Sequence, residues 1–119
     1  MVPRKMELVK GTLDVLILKS LSWGPMHGYA VTRWIRETSD EALQVDEGAL
    51  YPALHRMEER GWLKAEWGVS ANNRRAKFYA LTDQGRKQLQ IDSSRWARFA
   101  ESVAKILDAT DRPAWAEQR

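Results

Sequence analysis

The sequence has 119 residues and a formal net charge of +3 at pH 7; 44% of its residues are hydrophobic and 29% are charged. This composition excludes a disordered chain and predicts a single domain with one modest core, and the small basic excess favours anionic partners. The absence of cysteine excludes disulfides and thiolate metal sites and is consistent with a reducing, cytoplasmic location.

Residues 1–7 carry two basic residues before any periodic pattern begins, and they are predicted to form a mobile basic arm. A first helix is predicted from Leu8 to Leu21, with apolar residues over more than one narrow stripe. Such a helix packs on its own core and has a second apolar side, for which another subunit is a candidate partner. Because Asp14 and Lys19 interrupt its apolar run, which is far too short to span a bilayer, no membrane partner is expected.

The segment from Ser22 to Pro25 ends this helix, because glycine and proline interrupt regular structure. A second helix is predicted from Met26 to Glu37, with its apolar residues facing inward. These inward residues are Ala30, Val31, Trp34 and Ile35. A polar linker over residues 38–44 follows.

A third helix is predicted to begin at Asp46 and Glu47, which suit a helix start, and to end before Gly61. Pro52 would be damaging deep inside a helix, so the helix is expected to begin only shortly before it. The predicted apolar back consists of Leu50, Ala53, Leu54 and Met57, and the front carries Tyr51, His55 and Arg56. Two short helices joined by a brief polar segment are compatible with a helix-turn-helix.

A hairpin is predicted directly after the third helix. Apolar and charged residues alternate from Leu63 to Trp67, which indicates a strand; a turn follows over residues 68–73, and a second strand runs from Arg75 to Leu81. Alternation does not decide whether Phe78 or Tyr79 is buried. A hairpin with a basic tip in this position is the layout of a winged helix-turn-helix.

The last predicted element is a long helix. Thr82 is a suitable N-cap, Asp83 lies in the first turn, and the helical pattern continues without proline to Leu107. Apolar residues recur at heptad a and d spacing, with Asp92 at one d position. They are Leu89, Trp96, Phe99, Val103 and Ile106. Such a helix outside a small domain usually packs on a partner, and residues 108–119 are predicted to form a frayed tail.

Four segments over residues 11 to about 90 form an ordered set of motifs. They are Gly11-Thr12-Leu13, Gly24 to Tyr29, Gly48 to Glu58 with Gly61, and Arg74 to Thr82 with Gly85. Together they resemble the PadR family of transcriptional regulators. Each segment alone is a weak signal, but all of them in this order and at this spacing make a strong one. The resemblance is to the shorter members, which end soon after a single C-terminal dimerisation helix.

The resemblance implies an α+β, mostly helical fold. Residues 1–82 would form a winged helix-turn-helix DNA-binding domain, and residues 83–119 a long C-terminal dimerisation helix with a short tail. It further implies a homodimer that binds a palindromic operator in double-stranded DNA, usually as a repressor. The predicted hairpin would be the wing of this fold, and two departures are expected to weaken its binding to phosphates. Asn72-Asn73 stands where members often have glycine, and Ala76 interrupts a basic run that is often continuous.

The predicted DNA-binding residues belong to the third helix and the hairpin. They are Gly48, Tyr51, Pro52, His55, Arg56, Asn73, Arg74, Arg75 and Lys77. Tyr51 and Arg56 are expected to reach phosphates or base edges, and Gly48 to let backbone N–H groups approach a phosphate. The basic hairpin would neutralise phosphates in or beside the minor groove. The alternatives are a solvated helix front and a charged hairpin that only protects the edge strands from aggregation.

The predicted dimer interface combines the first and last helices. Its residues are Leu13, Ile17, Leu89, Trp96, Phe99, Val103 and Ile106. Two Trp96 side chains facing each other across the two-fold axis would leave a slot for a small, planar aromatic effector, with Phe99 beside it and Asp92 balancing the charge of a cationic compound. The alternatives are that the aromatic residues only pack between subunits and that Asp92 is a solvated or capping carboxylate.

No catalytic residue, metal site or cofactor is predicted, so an enzyme is not expected. The two histidines, His27 and His55, lack carboxylates at metal-site spacing, and nothing resembles a nucleophile motif or a phosphate-binding loop. His27 is expected to start a helix. Two other functions stay open: a winged helix used only for protein–protein contacts, and RNA binding, which no RNA-module motif favours.

Overall fold

The computed structural model of the protein describes residues 11–116, so the predicted basic arm over residues 1–7 lies outside the described part. The elements in chain order are α1 (Thr12–Leu21), β1 (Met26–His27), α2 (Gly28–Thr38), α3 (Glu47–Glu59), β2 (Leu63–Val69), β3 (Arg75–Leu81) and α4 (Asp83–Leu107). The strands form one antiparallel sheet in the order β1-β3-β2. The predicted α+β, mostly helical winged-helix architecture is confirmed.

The core lies between α1, α2, α3 and the base of the sheet. Its buried residues are Ile17, Leu18, Leu21, Val31, Ile35, Leu50, Ala53, Leu54, Met57, Leu63, Tyr79 and Leu81. The predicted apolar back of α3 is therefore confirmed in full, whereas Ala30 and Trp34 of α2 are only half-buried. Each large apolar side chain buried in this way contributes about 1.5–3 kcal/mol, so this cluster is the main source of stability.

Ile17 is a core residue, which corrects its predicted place in a dimer interface. Its side chain is fully buried within one subunit and has no surface left for a second one. The sequence pattern indicated that α1 needs more than one surface to pack on. Within a single subunit α1 contacts α2, α3, α4 and β3, and these elements supply most of that surface.

The second helix begins at Gly28, not at Met26 as predicted, because Met26 and His27 form a short strand. They pair with Tyr79 and Phe78 of β3. Helical periodicity within the segment cannot reveal a two-residue strand whose partner lies so far along the chain. His27 occupies the N-cap position of α2, as expected for a helix-start residue, and its Nδ1 accepts a hydrogen bond of 3.2 Å from the Ala30 N–H.

α3 continues through Pro52, which removes one backbone hydrogen bond but does not end the helix. Asp46 lies at the N-cap position as predicted, but its side chain makes no capping hydrogen bond; its backbone carbonyl accepts two N–H groups of the first turn. Gly61 follows the helix with φ of +81°, the left-handed conformation expected there.

β2, β3 and the turn between them form the wing. The turn is closed by a hydrogen bond of 2.8 Å from the Ser70 N–H to the Arg74 carbonyl, and Asn73 has φ of +59°. Asparagine tolerates this left-handed conformation better than most residues, so the absence of glycine does not prevent a tight turn.

One face of the wing extends the core and then runs beyond it. The pairs Leu63–Leu81 and Ala65–Tyr79 lie at the base of this face, followed by Trp67–Lys77 and then Val69–Arg75 near the tip. At the position that alternation left open, Tyr79 is buried and Phe78 is half-buried. Trp67 shares the inward face, as alternation predicts, but it is 59% exposed because the core ends before the wing does.

Thr82 joins the body of the protein to α4 and is the N-cap that the sequence predicted. Its hydroxyl accepts a hydrogen bond of 3.0 Å from the Gly85 N–H and donates one of 2.6 Å to the Gly61 carbonyl. Gly85 packs directly on the backbone carbonyl of Trp62, where any Cβ would collide. The start of α4 is therefore fixed to the end of α3 and to β2.

The far part of α4 stands away from the body. Leu89 packs against the core, and Trp96 Nε1 donates a hydrogen bond of 3.3 Å to Thr12 Oγ1 of α1. Further along, Phe99 and Ile106 are 63% and 75% exposed, and the molecule measures 66 × 38 × 22 Å along its principal axes. None of the helices in residues 11–116 combines the length and apolar composition that a membrane span requires.

Candidate DNA-binding interface

An open groove of about 880 Å³ separates the wing from the exposed front of α3 and the start of α2. We call it the cationic groove, because its lining includes four basic side chains and two histidines. These are Arg33, Arg74, Arg75 and Lys77 with His27 and His55. Among the described residues that line it, none is acidic. The lining is therefore basic, although Glu37 and Glu58 pair with Arg33 and Lys77 and offset part of the charge.

Tyr51 and His55, two of the predicted contact residues on α3, both line this groove. Tyr51 leans on Gly28 at the start of α2: a Cβ added to Gly28 would lie 2.7 Å from the Tyr51 hydroxyl oxygen and 2.9 Å from two ring carbons. The absence of a side chain at Gly28 thus lets the tyrosine ring pack against the start of α2 at the edge of the groove.

Arg56, also predicted on the front of α3, is not in the groove. Its Nη2 makes an ion pair of 2.5 Å with Asp14 Oδ1 of α1. Successive residues of a helix are turned by about 100°, so Arg56 lies on the flank that faces α1 while His55 faces the wing. The prediction grouped the two residues by polarity; the fold separates them.

Gly48, Pro52 and Asn73 are exposed but do not line the groove, and Asn72 lies there in place of Asn73. Gly48 has a carboxylate neighbour, since a Cβ built on it would lie 3.1 Å from Asp46 Oδ2. A phosphate approaching the start of α3 would meet this negative charge, which weakens the predicted backbone contact there.

The basic residues of the wing differ in their partners. Arg74 and Arg75 are exposed, and the Arg75 guanidinium lies 4.7 Å from the centre of the Trp67 ring. Lys77 is half-buried: its Nζ lies 3.5 Å from Glu58 Oε1 of α3 and 5.5 Å from the centre of the Tyr79 ring. Burial raises the pKa of the Tyr79 hydroxyl above its ordinary value. Lys77 therefore links the wing to α3.

Several residues of the groove were missing from the sequence prediction, among them His27, Tyr29 and Arg33 around α2, and Trp67 of β2. The rings of His27 and Tyr29 stack with centres 6.3 Å apart, and Arg33 forms an ion pair of 3.1 Å with Glu37. The only sequence signal for Arg33 was its position off the apolar face of its helix. No local pattern indicates that the start of α2 faces the wing.

A second groove, of about 470 Å³, lies between α1 and α4. We call it the α1–α4 groove. Asp92, Trp96 and Phe99, the predicted effector residues, all line it together with Asp14 and Arg95. Asp92 Oδ1 accepts a hydrogen bond of 2.9 Å from Gln88 Nε2. The fold thus brings the three residues together within one subunit, whereas the sequence reasoning placed their slot across the two-fold axis.

The remaining predicted interface residues fall into two groups. Leu13 and Leu89 are half-buried and pack against the core of their own subunit. On α4, Val103 is half-buried and Phe99 and Ile106 are exposed, as are Ile91 and Leu107, which the heptad pattern did not include. Within residues 11–116, α4 thus carries five of the eleven large apolar or aromatic side chains that are exposed.

The sequence matches the family model described as the transcriptional regulator PadR-like family over residues 17–91. A transcriptional regulator of Mycobacterium tuberculosis is 31% identical over 97 residues, which cover 82% of this chain and 87% of that protein. The negative transcriptional regulator PadR of Bacillus subtilis is 26% identical over 91 residues, which cover 76% of this chain and 50% of that protein.

Solved structures lead to the same family. A PadR-like transcriptional regulator from Bacillus cereus superposes with a TM-score of 0.72 at 27% identity, covering 85% of this chain and 96% of that chain. A transcriptional regulator from Clostridium thermocellum gives a TM-score of 0.73 at 29% identity, covering 81% and 93% of the two chains. These proteins are transcriptional regulators and not enzymes, as expected for this chain. The chain belongs to the PadR-like family of DNA-binding transcriptional regulators.

Proposed function

We propose that two copies of this chain bind a palindromic operator in double-stranded DNA and repress transcription from it. The observation that carries the proposal is the cationic groove, whose described lining contains four basic residues and no acidic one. DNA carries a dense array of phosphates, and neutralising them releases bound counterions, which supplies much of the free energy of binding. A surface of this charge next to a helix-turn-helix is best matched by a duplex.

In the proposed complex the exposed front of α3 enters the major groove, and the wing grips the neighbouring backbone. Tyr51 and His55 then face the duplex from α3, and Arg74 and Arg75 face it from the wing. Arg33, on the α2 side of the cationic groove, would contact the duplex opposite the wing. Most such contacts go to phosphate and sugar and fix the register of the protein; fewer read the bases.

The proposed dimer forms through α4. PadR-family regulators are generally dimeric, and α4 exposes large apolar side chains such as Phe99 and Ile106 that would otherwise stay in water. Residues 83–119 would thus serve dimerisation while residues 1–82 bind DNA. Two recognition helices related by a two-fold axis should read half-sites about one helical turn apart, roughly 34–36 Å.

Repression is supported by one named relative. The Bacillus subtilis protein, 26% identical to this chain, is a negative transcriptional regulator. A dimer fixed on an operator represses most simply by occupying DNA that RNA polymerase needs. We propose the same sign of regulation here.

We also propose that a small planar aromatic compound relieves this repression by binding at the α1–α4 groove. Trp96 and Phe99 offer aromatic surface there, and the carboxylates of Asp92 and Asp14 line the groove together with the guanidinium groups of Arg60 and Arg95. Arg56 already holds Asp14, so Asp92 is the better partner for a cationic compound. Such a compound acts only if it binds the DNA-competent and the released dimer unequally, for instance by changing the separation of the two α3 helices.

The proposed function is tested by selecting binding sites from random duplexes with the purified protein at two salt concentrations. We expect a two-fold symmetric consensus and an affinity that falls steeply as salt rises. A selected consensus without symmetry would contradict the dimeric mode of binding. A protein that ignores duplex DNA at low salt would instead be a winged helix for protein contacts.

A further inference from the structure

Trp67 is the largest apolar side chain exposed in the cationic groove. It is 59% exposed, although it lies on the inward face of the wing. An aromatic ring left in water next to basic residues does little for the core of its own subunit. Its position needs another explanation.

The guanidinium of Arg75 makes a cation–π contact with Trp67 and lies 4.7 Å from the centre of the tryptophan ring. The other long basic side chains with partners in this groove are held by carboxylates: Arg33 by Glu37 at 3.1 Å and Lys77 by Glu58 at 3.5 Å. A carboxylate holds a cation in place but also cancels its charge. A neutral aromatic ring holds the cation and leaves the charge uncompensated.

We propose that Trp67 is a positioning residue for DNA binding, which holds the Arg75 guanidinium in the cationic groove and directs it at a phosphate of the duplex. The proposal rests on the proposed DNA-binding function. Stacking uses the face of the planar guanidinium, so its N–H donors remain available for phosphate oxygens. It also restricts the arginine before DNA arrives, so less conformational entropy is lost on binding.

The test is a double-mutant cycle on the affinity for a duplex of fixed, mixed sequence, measured at several salt concentrations. The proteins are the parent, Trp67→Ala, Arg75→Ala and the double variant. We expect Trp67→Ala to weaken binding about two- to fivefold, the range of one exposed cation–π contact. In the Arg75→Ala background the same substitution should change nothing, because its effect passes through Arg75.

Two further variants act as controls. Trp67→Phe keeps a smaller aromatic face and should recover part of the affinity. Trp23→Ala removes a tryptophan that is similarly exposed, at 66%, but does not line the groove. Trp23 also makes a cation–π contact, with Lys19 Nζ 5.1 Å from the centre of its ring. The Trp23→Ala variant should bind DNA like the parent. Equal thermal unfolding of the variants would show that the wing is intact.

A loss of the same size in both the parent and the Arg75→Ala backgrounds would overturn the proposal, since Trp67 would then act independently of Arg75. Unchanged binding by Trp67→Ala would overturn it as well. Both results would leave the proposed DNA-binding function standing. That function fails separately, if the parent protein itself does not bind the duplex at low salt.

Discussion

At the scale of single residues, equal charges do not have equal roles in the candidate interface. Arg56 is bound to Asp14 of α1, and Lys77 is bound to Glu58 of α3, whereas Arg75 forms no ion pair with a carboxylate in the described part of the chain. The sequence places all three in one basic set. Only the fold shows that the first two link elements of the body, although Lys77 also lines the groove, and that Arg75 is exposed there.

We predict that Arg75→Ala weakens binding to all duplex sequences alike. It should also reduce the slope of log K against log salt by about 1, the contribution of one phosphate contact. The matched control is Arg56→Ala, which removes the same kind of side chain outside the groove and should leave the slope unchanged. The measurement is a fluorescence-anisotropy titration at several salt concentrations. A change in slope for Arg56 and none for Arg75 would reverse our assignment.

Gly28 supports Tyr51 by having no side chain. Gly28→Ala would place a methyl group 2.7 Å from the tyrosine hydroxyl oxygen, so the ring has to leave its place in the groove. We expect a loss of about 1 kcal/mol, the typical worth of one hydrogen bond, or about fivefold in DNA affinity. If the methyl group acts through the ring, Gly28→Ala should have no effect on affinity when Tyr51 is already alanine. Additive losses in the double variant would disprove this route.

At the scale of elements, patterns within one segment predicted most of the fold. The back of α3, the wing strands and the Thr82 cap each depend on residues close in sequence, and each is confirmed. β1 could not be predicted, because its two residues become a strand only when β3 lies beside them. The groove was half predicted for a similar reason: Tyr51 and the wing arginines carry a local signal, but the α2 residues that face them do not.

The start of α4 packs on the segment between α3 and β2, and this contact leaves no space for a side chain at Gly85. Its Cβ would collide with the backbone carbonyl of Trp62, which cannot move as a flexible side chain does. We expect Gly85→Ala to lower the free energy of unfolding by about 1–3 kcal/mol, the cost of overpacking.

Gly48→Ala is the control for this prediction. Its Cβ would approach only the flexible end of Asp46, and alanine favours a helix by about 0.5–1 kcal/mol over glycine. Chemical denaturation of both variants at one protein concentration provides the comparison. If the Gly85 variant is as stable as the parent, the backbone around Trp62 can shift to make space for the added methyl group.

At the scale of the whole molecule, the exposed apolar surface of α4 determines the proposed assembly. Ile106→Glu would place two carboxylates in the proposed interface and remove two large apolar side chains from it. We expect the dissociation constant of the dimer to rise at least about tenfold, measured by analytical ultracentrifugation. Gln90→Glu adds the same charge to α4 at a residue outside the heptad a and d positions, and it should leave the dimer intact. Equal sedimentation of both variants would place the interface elsewhere.

The effector proposal also belongs to the whole molecule. Planar aromatic cations should quench tryptophan fluorescence in the parent protein, and Trp96→Ala should lose that quenching because the ring lines the α1–α4 groove. Trp115→Ala removes an exposed tryptophan outside that groove and is the control. A Trp96 variant that responds like the parent would exclude this groove as the binding site.

The hydroxyl of Thr82 holds the Gly61 carbonyl after α3 and the Gly85 N–H of α4 at the same time. α4 therefore leaves the body as a lever that pivots at its first turn, where this side chain acts together with the packing of Gly85 on Trp62. A tilt of a few degrees at the pivot grows with distance along the lever, and in an assembled pair it would appear as a change in reach between the two DNA-reading ends. In the proposed dimer, the contacts at this pivot, together with those of Leu89 and Trp96 to the body, would limit how far the pair can stretch to accept half-sites of different spacing.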